Sequence, residues 1–423
     1  MSLTLDGYRL ARLLQQSTTT RVYVGERESD GQPIIAKAYT VGLRQGLEAR
    51  VEHEFALIRT LEGRGVVRAL ALERAGDQLV LVLERYAGVD LATYAEGRAM
   101  AIPEFLRIAR RVAETLALVH AQSVIHRDIK PANILINPES GEVVLADFGI
   151  SVLLESERAQ IHDPEIIEGT LPYVAPEQTG RTGREVDFRS DLYSLGVTFY
   201  ELLTGRRPFV ANSPLELIHA HLARRPDPPV WLRPELPKPL SDLVIKLLEK
   251  APERRYQSAR GLAADLEAIN DALEEGRPFA DFELGRRDVA SALRLPHQLY
   301  GRARETDILL NEFRQASLGI PRLVVLRGSA GIGKSALIGE LVEPVLGRRG
   351  HLIRGQFDAA QQPLAAIIQA LEGLADQLLT GSDVELRRWR RELNSELGAL
   401  AGVLCNLVGK FAAVLGVEAP ANE

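Results

Sequence analysis

Residues 126–133 read HRDIKPAN and residues 147–149 read DFG. An aspartate, a lysine and an asparagine at this close spacing, followed by a second aspartate, are the groups that phosphoryl transfer requires. That reaction asks a protein for cations on the phosphates, a base near the acceptor hydroxyl and metal ligands, and for little covalent chemistry. In those roles Asp128 accepts or orients the hydroxyl proton and Lys130 offsets charge on the transferred group. Asn133 and Asp147 hold magnesium. Lys37, in IIAKAY, is a candidate to grip nucleotide phosphates; Glu54 is its expected ion-pair partner, with Glu52 as the alternative. A second constellation, GSAGIGKS over residues 328–335, fits G-x-x-x-x-G-K-[ST] without a gap. There Gly328 and Gly333 frame a loop whose backbone N–H groups cradle phosphates. Lys334 reaches the outer phosphates and Ser335 binds magnesium.

These residues must be carried by elements that bring them together. RVYVGE, PIIAKAY and LVLVLE read as strands, and apolar positions Leu47, Val51, Phe55, Ile58 and Leu61 mark one helix between them. ILINPESGEVVLA reads as two short strands with a turn at Ser140 and Gly141, a hairpin that sets Asn133 near Asp147. From Pro103 the pattern becomes helical, with Phe105, Ile108, Val112, Leu116 and Val119 on one face. Residues 192–203, 240–248 and 259–273 are further helices. A Gly/Pro/Arg-containing connector spans 276–298. Beyond it the order is helix (305–316), strand (322–326), glycine loop, helix (335–346) and strand (351–355), the start of a parallel α/β sheet.

One HRD or DFG alone would be a charged loop. Here the strand lysine, helix glutamate, HRDIKPAN, DFG and an APE at 175–177 occur in one order, and the chain resembles the eukaryotic-type protein kinases over residues 8–275. The resemblance implies a bilobal α+β protein kinase fold and use of ATP and Mg2+. It implies a hinge at Leu83, Glu84, Arg85 and Tyr86 that bonds adenine, with Leu83 as gatekeeper and Asp90 near the ribose. Asp191 in SDLYSLG braces the catalytic loop, and Arg255 pairs with Glu177. Lys130 after Asp128, together with Thr170 in GTLPYVAPE, resembles serine/threonine rather than tyrosine kinases.

The pattern departs from the family at the phosphate loop, where LLQQSTTTRVYVG lacks the expected glycines and Ser17, Thr18, Thr19 and Thr20 stand instead. Glycine lets backbone N–H groups approach phosphates closely, so this substitution favours an alternative reading, a pseudokinase scaffold. The intact Lys37, Glu54, Asp128, Asn133 and Asp147 favour the enzyme. The activation segment carries Glu155, Glu157, Asp163, Glu165 and Glu168; one of these is expected to pair with Arg127 in place of a phosphate, with Ser156 as the competing phosphosite.

PEQTGR, FELGRRDV, LPHQLYGRARE, the P-loop and RGQFDAAQQPLAAIIQAL together resemble large bacterial and fungal proteins. Those join a serine/threonine kinase to an AAA/STAND-type ATPase, a GAF domain and a sensor histidine kinase. The resemblance implies a kinase domain at 1–275, a linker at 276–298 and a partial α/β P-loop NTPase domain at 299–423, with GAF or histidine-kinase modules as partners besides protein substrates. No apolar strand ending in paired acids follows residue 355, so weak nucleotide binding and little hydrolysis are expected there.

Composition agrees with a soluble globular protein. Of 423 residues 46% are apolar and 26% charged, with a net charge of −6 and no basic run. That argues against a nucleic-acid partner. One cysteine, Cys405, precludes an internal disulfide, which fits the cytoplasm. The longest charge-free apolar run, 397–409, is shorter than the ~20 residues of a membrane span and reads as a buried helix.

Overall fold

The computed structural model describes residues 3–17, 20–41, 47–61, 63, 65–148, 171–182, 184, 186–211, 213–279, 282–288, 302–328, 334–341, 344–345, 348, 350–353, 355–357, 364–379 and 383–417. Among the described residues there are two sheets, and the first has five antiparallel strands: β1 (Tyr8–Gln16), β2 (Thr20–Arg27), β3 (Pro33–Thr40), β4 (Ala69–Ala75) and β5 (Gln78–Glu84), in the order β1-β2-β3-β5-β4. Strand β3 lies between β2 and β5, and Lys37 faces Val22 on one side and Leu81 on the other. Helix α1 (Leu47–Thr60) buries Leu47, Val51 and Ile58, as its apolar spacing requires.

The β1–β2 ribbon is irregular between Leu10 and Arg12 and between Leu13 and Gln15, which increases its twist. Its turn is closed without glycine. Ser17 N donates to Thr20 O at 2.8 Å, and Thr20 N donates to Ser17 Oγ at 3.0 Å.

The second sheet is small: β6 (Val89–Asp90), β7 (Ile134–Ile136) and β8 (Val143–Leu145), with β7 and β8 forming the antiparallel hairpin expected from ILINPESGEVVLA. Its turn contains Gly141 at φ 68°, a left-handed conformation that glycine adopts without strain. Around it pack α2 (Leu91–Ala95), α3 (Ile102–His120), α4 (Phe188–Thr204), α5 (Pro214–Ala223), α6 (Pro229–Leu232), α7 (Lys238–Leu247) and α8 (Ala259–Glu274). Helix α4 is buried nearly all round. A Cβ at Gly196 would meet Leu247 Cβ at 2.6 Å, so this glycine permits the close approach of α4 and α7. One core runs from α1 and β5 through α3 to α8. The connector expected to begin at 276 does not leave this core at once, because Phe279, Phe282 and Leu284 still pack on it.

The later residues form α9 (Ala303–Ala316), α10 (Lys334–Gly339), α11 (Ala365–Leu379), α12 (Asp383–Leu397), α13 (Ala401–Leu407) and α14 (Lys410–Leu415). Ala375, Leu378, Cys405, Val408, Phe411 and Val414 bury a small helical core. Four expectations are not met here. Residues 322–326 and the described residues of 351–355 form no paired strand, since an isolated strand has no partner for its backbone groups and no face to bury. Leu323 is 91% exposed and Val325 63%. Of the helix expected over 335–346, α10 ends at Gly339, residues 340–341 turn, and 344–345 are helical again. The apolar run 397–409 is not one buried helix: Gly398 at φ 49° breaks it, and Leu400, Val403 and Leu407 are exposed. Among the described residues no helix is long and apolar enough to cross a membrane.

Candidate active site

Asp128, Lys130 and Asn133 meet in one loop after α3. Lys130 Nζ donates to Asp128 Oδ2 at 2.8 Å, and Asn133 Nδ2 donates to the same oxygen and to the Asp128 carbonyl, each at 2.8 Å. Asn133 closes a short 3-10 turn, Pro131–Asn133, and is buried. With both of its amide hydrogens directed at Asp128, the side-chain oxygen remains as the acceptor or metal-facing atom. Ala146 N donates to Asn133 O at 2.9 Å, which ties the turn to the segment carrying Asp147. The two candidate metal ligands are therefore anchored to one β7–β8 hairpin.

The loop is held in a conformation it would not adopt alone. Arg127 (φ 69°) and Asp147 (φ 60°) are non-glycine residues in the left-handed region, each at a cost of ~1–3 kcal/mol. Asp191, at the start of α4, offsets part of this cost. Its two carboxylate oxygens accept from Arg127 N at 2.7 Å and His126 N at 2.8 Å, and Oδ2 also contacts His120 Nε2 at 2.8 Å. His126 packs on Phe148 with ring centroids 4.5 Å apart and meets the Ala146 carbonyl through Nε2 at 3.0 Å. Burial lowers the His126 pKa, against the raising effect of Asp191 and Asp128. Asp191 thus acts as the expected brace.

Lys37 forms its ion pair with Asp147, not with Glu54. Glu54 is 4% exposed, and its Oε2 has no hydrogen-bond partner. Burial raises the Glu54 carboxyl to about 7, although the charge of Lys37 pulls the other way. The expected Lys37–Glu54 contact fails because the loop after β8 brings the Asp147 carboxylate to the amine, while α1 holds Glu54 in the core. Glu52, the alternative, is exposed.

The hinge residues follow β5: Leu83 is buried, Glu84 and Tyr86 are half-buried, and the Tyr86 hydroxyl donates to Glu142 O at 3.0 Å. Asp90 caps α2, accepting from Thr93 N at 2.8 Å and Thr93 Oγ1 at 2.7 Å. Its carboxylate is already engaged, so a sugar contact would have to share it.

Glu177 and Arg255 form the expected pair, fully buried and bidentate at 2.7 and 2.9 Å. Burial opposes ionisation of Glu177, but the Arg255 charge, with hydrogen bonds from Arg255 and Ser190, outweighs it and lowers the carboxyl pKa. Two supporting groups were not singled out by motif reading. Gln178 accepts from Ala175 N at 2.9 Å and donates to Arg127 O at 2.8 Å, joining the APE turn to the HRD loop. His120 reaches Asp191 from the end of α3. Gln178 directly follows APE and was within reach of the motif; His120 carries no local signal.

Ser156, Thr170 and the acids 155, 157, 163, 165 and 168 lie outside the described residues, as do Thr18, Thr19, Gly149 and Gly333. In the P-loop, Lys334 Nζ donates to Gly328 O at 2.8 Å and Ser335 follows it in α10. The phosphate-cradling loop between them is outside the description.

Residues 8–266 match the protein kinase domain family, which covers more than half of the chain. The chain belongs to the protein kinase family. Residues 298–421 match the AAA ATPase domain family. Among relatives of this protein kinase is the hybrid signal transduction histidine kinase G of Dictyostelium discoideum, 30% identical over 80% of the chain and 12% of the relative. Another is the serine/threonine-protein kinase pkn2 of Myxococcus xanthus, 36% identical over 66% of the chain and 34% of the relative. The chain thus spans a minor part of each relative's length. The crystal structure of the Mycobacterium tuberculosis PknI kinase domain matches 63% of this chain and 97% of its own, with 25% identity and a TM-score of 0.50.

Proposed function

We propose that this chain transfers the terminal phosphoryl group of ATP to serine or threonine hydroxyls of proteins. A protein hydroxyl and ATP give a phosphoprotein, ADP and a proton. The observation that carries the reading is the joint anchoring of Asp128, Lys130, Asn133 and Asp147 around one hairpin, with Lys37 in contact with Asp147.

In this reading Asp128 orients the acceptor hydroxyl and takes up its proton, and Lys130 balances charge on the group in transit. Lys37 holds the nucleotide phosphates, and the backbone of Glu84 and Tyr86 takes the adenine. The donor set suits magnesium, a hard cation that accepts one or two carboxylates together with phosphate oxygens. The Asp147 carboxylate and the Asn133 amide oxygen would hold it, and the bound ion would neutralise phosphate charge. Glu54 is positioned to take Lys37 from Asp147, which would free that carboxylate for the ion. Ser156 and Thr170 belong to the activation segment that Glu177 closes.

The organisation proposed is a kinase unit in 1–275, a connector over 276–298 and a P-loop module from 299. Lys334 and Ser335 would serve nucleotide and magnesium there, with hydrolysis weak. The likeness to a hybrid signal transduction histidine kinase supports a place in signalling beside histidine-kinase modules; the location proposed with it is the cytoplasm. The glycine-free β1–β2 turn supports the second reading, a pseudokinase scaffold, because it offers the phosphates a stiffer backbone.

A radiolabelled phosphoryl-transfer assay of the wild type beside Asp128→Ala decides between them. A signal lost in the variant supports catalysis; equal signals from both proteins overturn it.

A further inference from the structure

Residues 282–288, ELGRRD preceded by Phe282, lie beyond the matched kinase region, yet they bond the kinase C-terminal lobe through several independent contacts. Asp288 accepts from Gln257 N at 2.7 Å through one oxygen and from Ser258 Oγ at 2.9 Å through the other. Ser258 is itself the N-cap of α8, accepting from Gly261 N at 3.0 Å. Gly285 N donates to Asp265 Oδ2 at 2.7 Å, and the Tyr256 hydroxyl donates to that same oxygen at 2.5 Å. The glycines record how close the fit is. A Cβ at Gly261 would come within 2.3 Å of Asp288 Oδ1 and 2.6 Å of its Cα, and Gly285 has φ +82°. Phe282 and Leu284 pack against the main core beside these polar contacts.

From Asp288 a continuous set of hydrogen bonds leads to the activation segment. Gln257, whose amide Asp288 holds, accepts from Arg189 Nη1 through its side chain at 3.0 Å. It also donates to the carbonyls of Pro252 and Arg255, at 3.0 and 2.9 Å. The Arg189 carbonyl accepts from Arg255 Nη1 at 2.9 Å, and Arg255 holds Glu177.

We propose that residues 282–288 are an intramolecular docking motif and that Asp288 is a positioning residue, acting through Gln257 and Arg189 on the Arg255–Glu177 pair. The motif makes the lead-in to the following AAA-type unit part of the kinase fold. A pull or rotation at that lead-in would reach the segment that receives substrate. The activity arm of the test rests on the kinase reading; the structural arm does not.

The test compares full-length wild type with Asp288→Ala, Asp288→Asn and Gln257→Met by hydrogen–deuterium exchange and by steady-state phosphorylation of a protein substrate. Asp288→Ala should raise exchange in peptides covering 257–261 and also in those covering 171–182. It should lower kcat/KM for the protein substrate by roughly tenfold, within the range of couplings carried by such networks, while KM for ATP stays within about twofold. Asp288→Asn keeps an acceptor for the Gln257 amide and should retain most of both signals. Gln257→Met keeps the backbone bond but removes the link to Arg189 and the bonds to the Pro252 and Arg255 carbonyls, so it should loosen 252–256 and 171–182 while 258–261 stays protected. If Asp288→Ala fails to fold, the other two variants still decide. Faster exchange at 257–261 with 171–182 and kcat/KM unchanged, or no effect of Gln257→Met on 171–182, overturns the proposal. Were the wild type inactive, the exchange data would answer the structural question and only the kinase reading would fall.

Discussion

Strand β3 and residues 322–326 have the same kind of sequence, a short apolar run leading to a lysine motif, and opposite fates. PIIAKAYT is paired on both edges by β2 and β5, and Ile34, Ala36 and Ala38 are buried. RLVVL finds no strand partner among the described residues and leaves Leu323 91% exposed. Local sequence proposes a strand; neighbouring strands make it one. Lys37 lies in the paired sheet and meets Asp147, while Lys334 Nζ donates to the Gly328 carbonyl six residues before it.

The largest expected effect tests whether chemistry belongs to the well-packed region. Asp128→Ala should lower phosphoryl transfer by ~100- to 10,000-fold, whereas Lys334→Ala should leave transfer to protein nearly unchanged and reduce nucleotide bound by the P-loop module. Equal losses from both would erase the contrast.

Next come substitutions that read packing directly. Arg255→Ala leaves the Glu177 carboxylate buried without its partner and should cost about 3–5 kcal/mol in urea unfolding. Leu81→Ala, in β5, should cost ~2–5 kcal/mol, while Leu323→Ala should change stability by less than ~0.5 kcal/mol. A large effect at Leu323 would show that 322–326 is packed in solution.

Two smaller effects depend on pH. Glu54, raised to about 7 by burial against an ordinary value of 4.5, binds a proton in the folded chain that the unfolded chain has released. Its stabilising share is therefore full below pH 4.5 and lost as pH rises through 7. If ionised Glu54 must take Lys37, phosphoryl transfer should rise between pH 6 and 8, and Glu54→Gln should abolish that rise. His221, pushed down to about 3 by burial and then by Lys250, behaves oppositely: the unfolded chain takes up a proton below 6.5 that the folded chain refuses. Stability is thus lost as pH falls from 6.5 toward 3, and His221→Gln should flatten that limb in acid titrations followed by circular dichroism.

Much of the kinase unit was legible because its chemistry sits in contiguous motifs. HRDIKPAN, DFG and the hairpin between them are local, so their spacing carried the geometry of Asn133 and Asp147. The Glu177–Arg255 pair was legible only through the family resemblance, since nothing local joins residues so far apart. Lys37 was assigned to its strand, but its partner depends on how α1 is placed against the loop after β8, and sequence spacing does not encode that. The connector looked like a linker because Gly, Pro and Arg punctuate it. Its contacts come from the Asp288 carboxylate, the Gly285 N–H and the side chains of Phe279, Phe282 and Leu284, which meet the lead-in to α8, Asp265 of α8 and the main core. Strand formation at 322–326 was misjudged for the converse reason: apolar periodicity reports the capacity to be buried, and burial needs something to lie against.

The Ser17-closed turn has a consequence for ligand selectivity. The Ser17 and Thr20 N–H groups are already bonded within the turn. A phosphate tail therefore meets fewer backbone donors there than over a glycine loop. Flat heteroaromatic compounds that occupy the adenine slot and never touch the tip should compete with ATP more strongly here than in a glycine-looped relative.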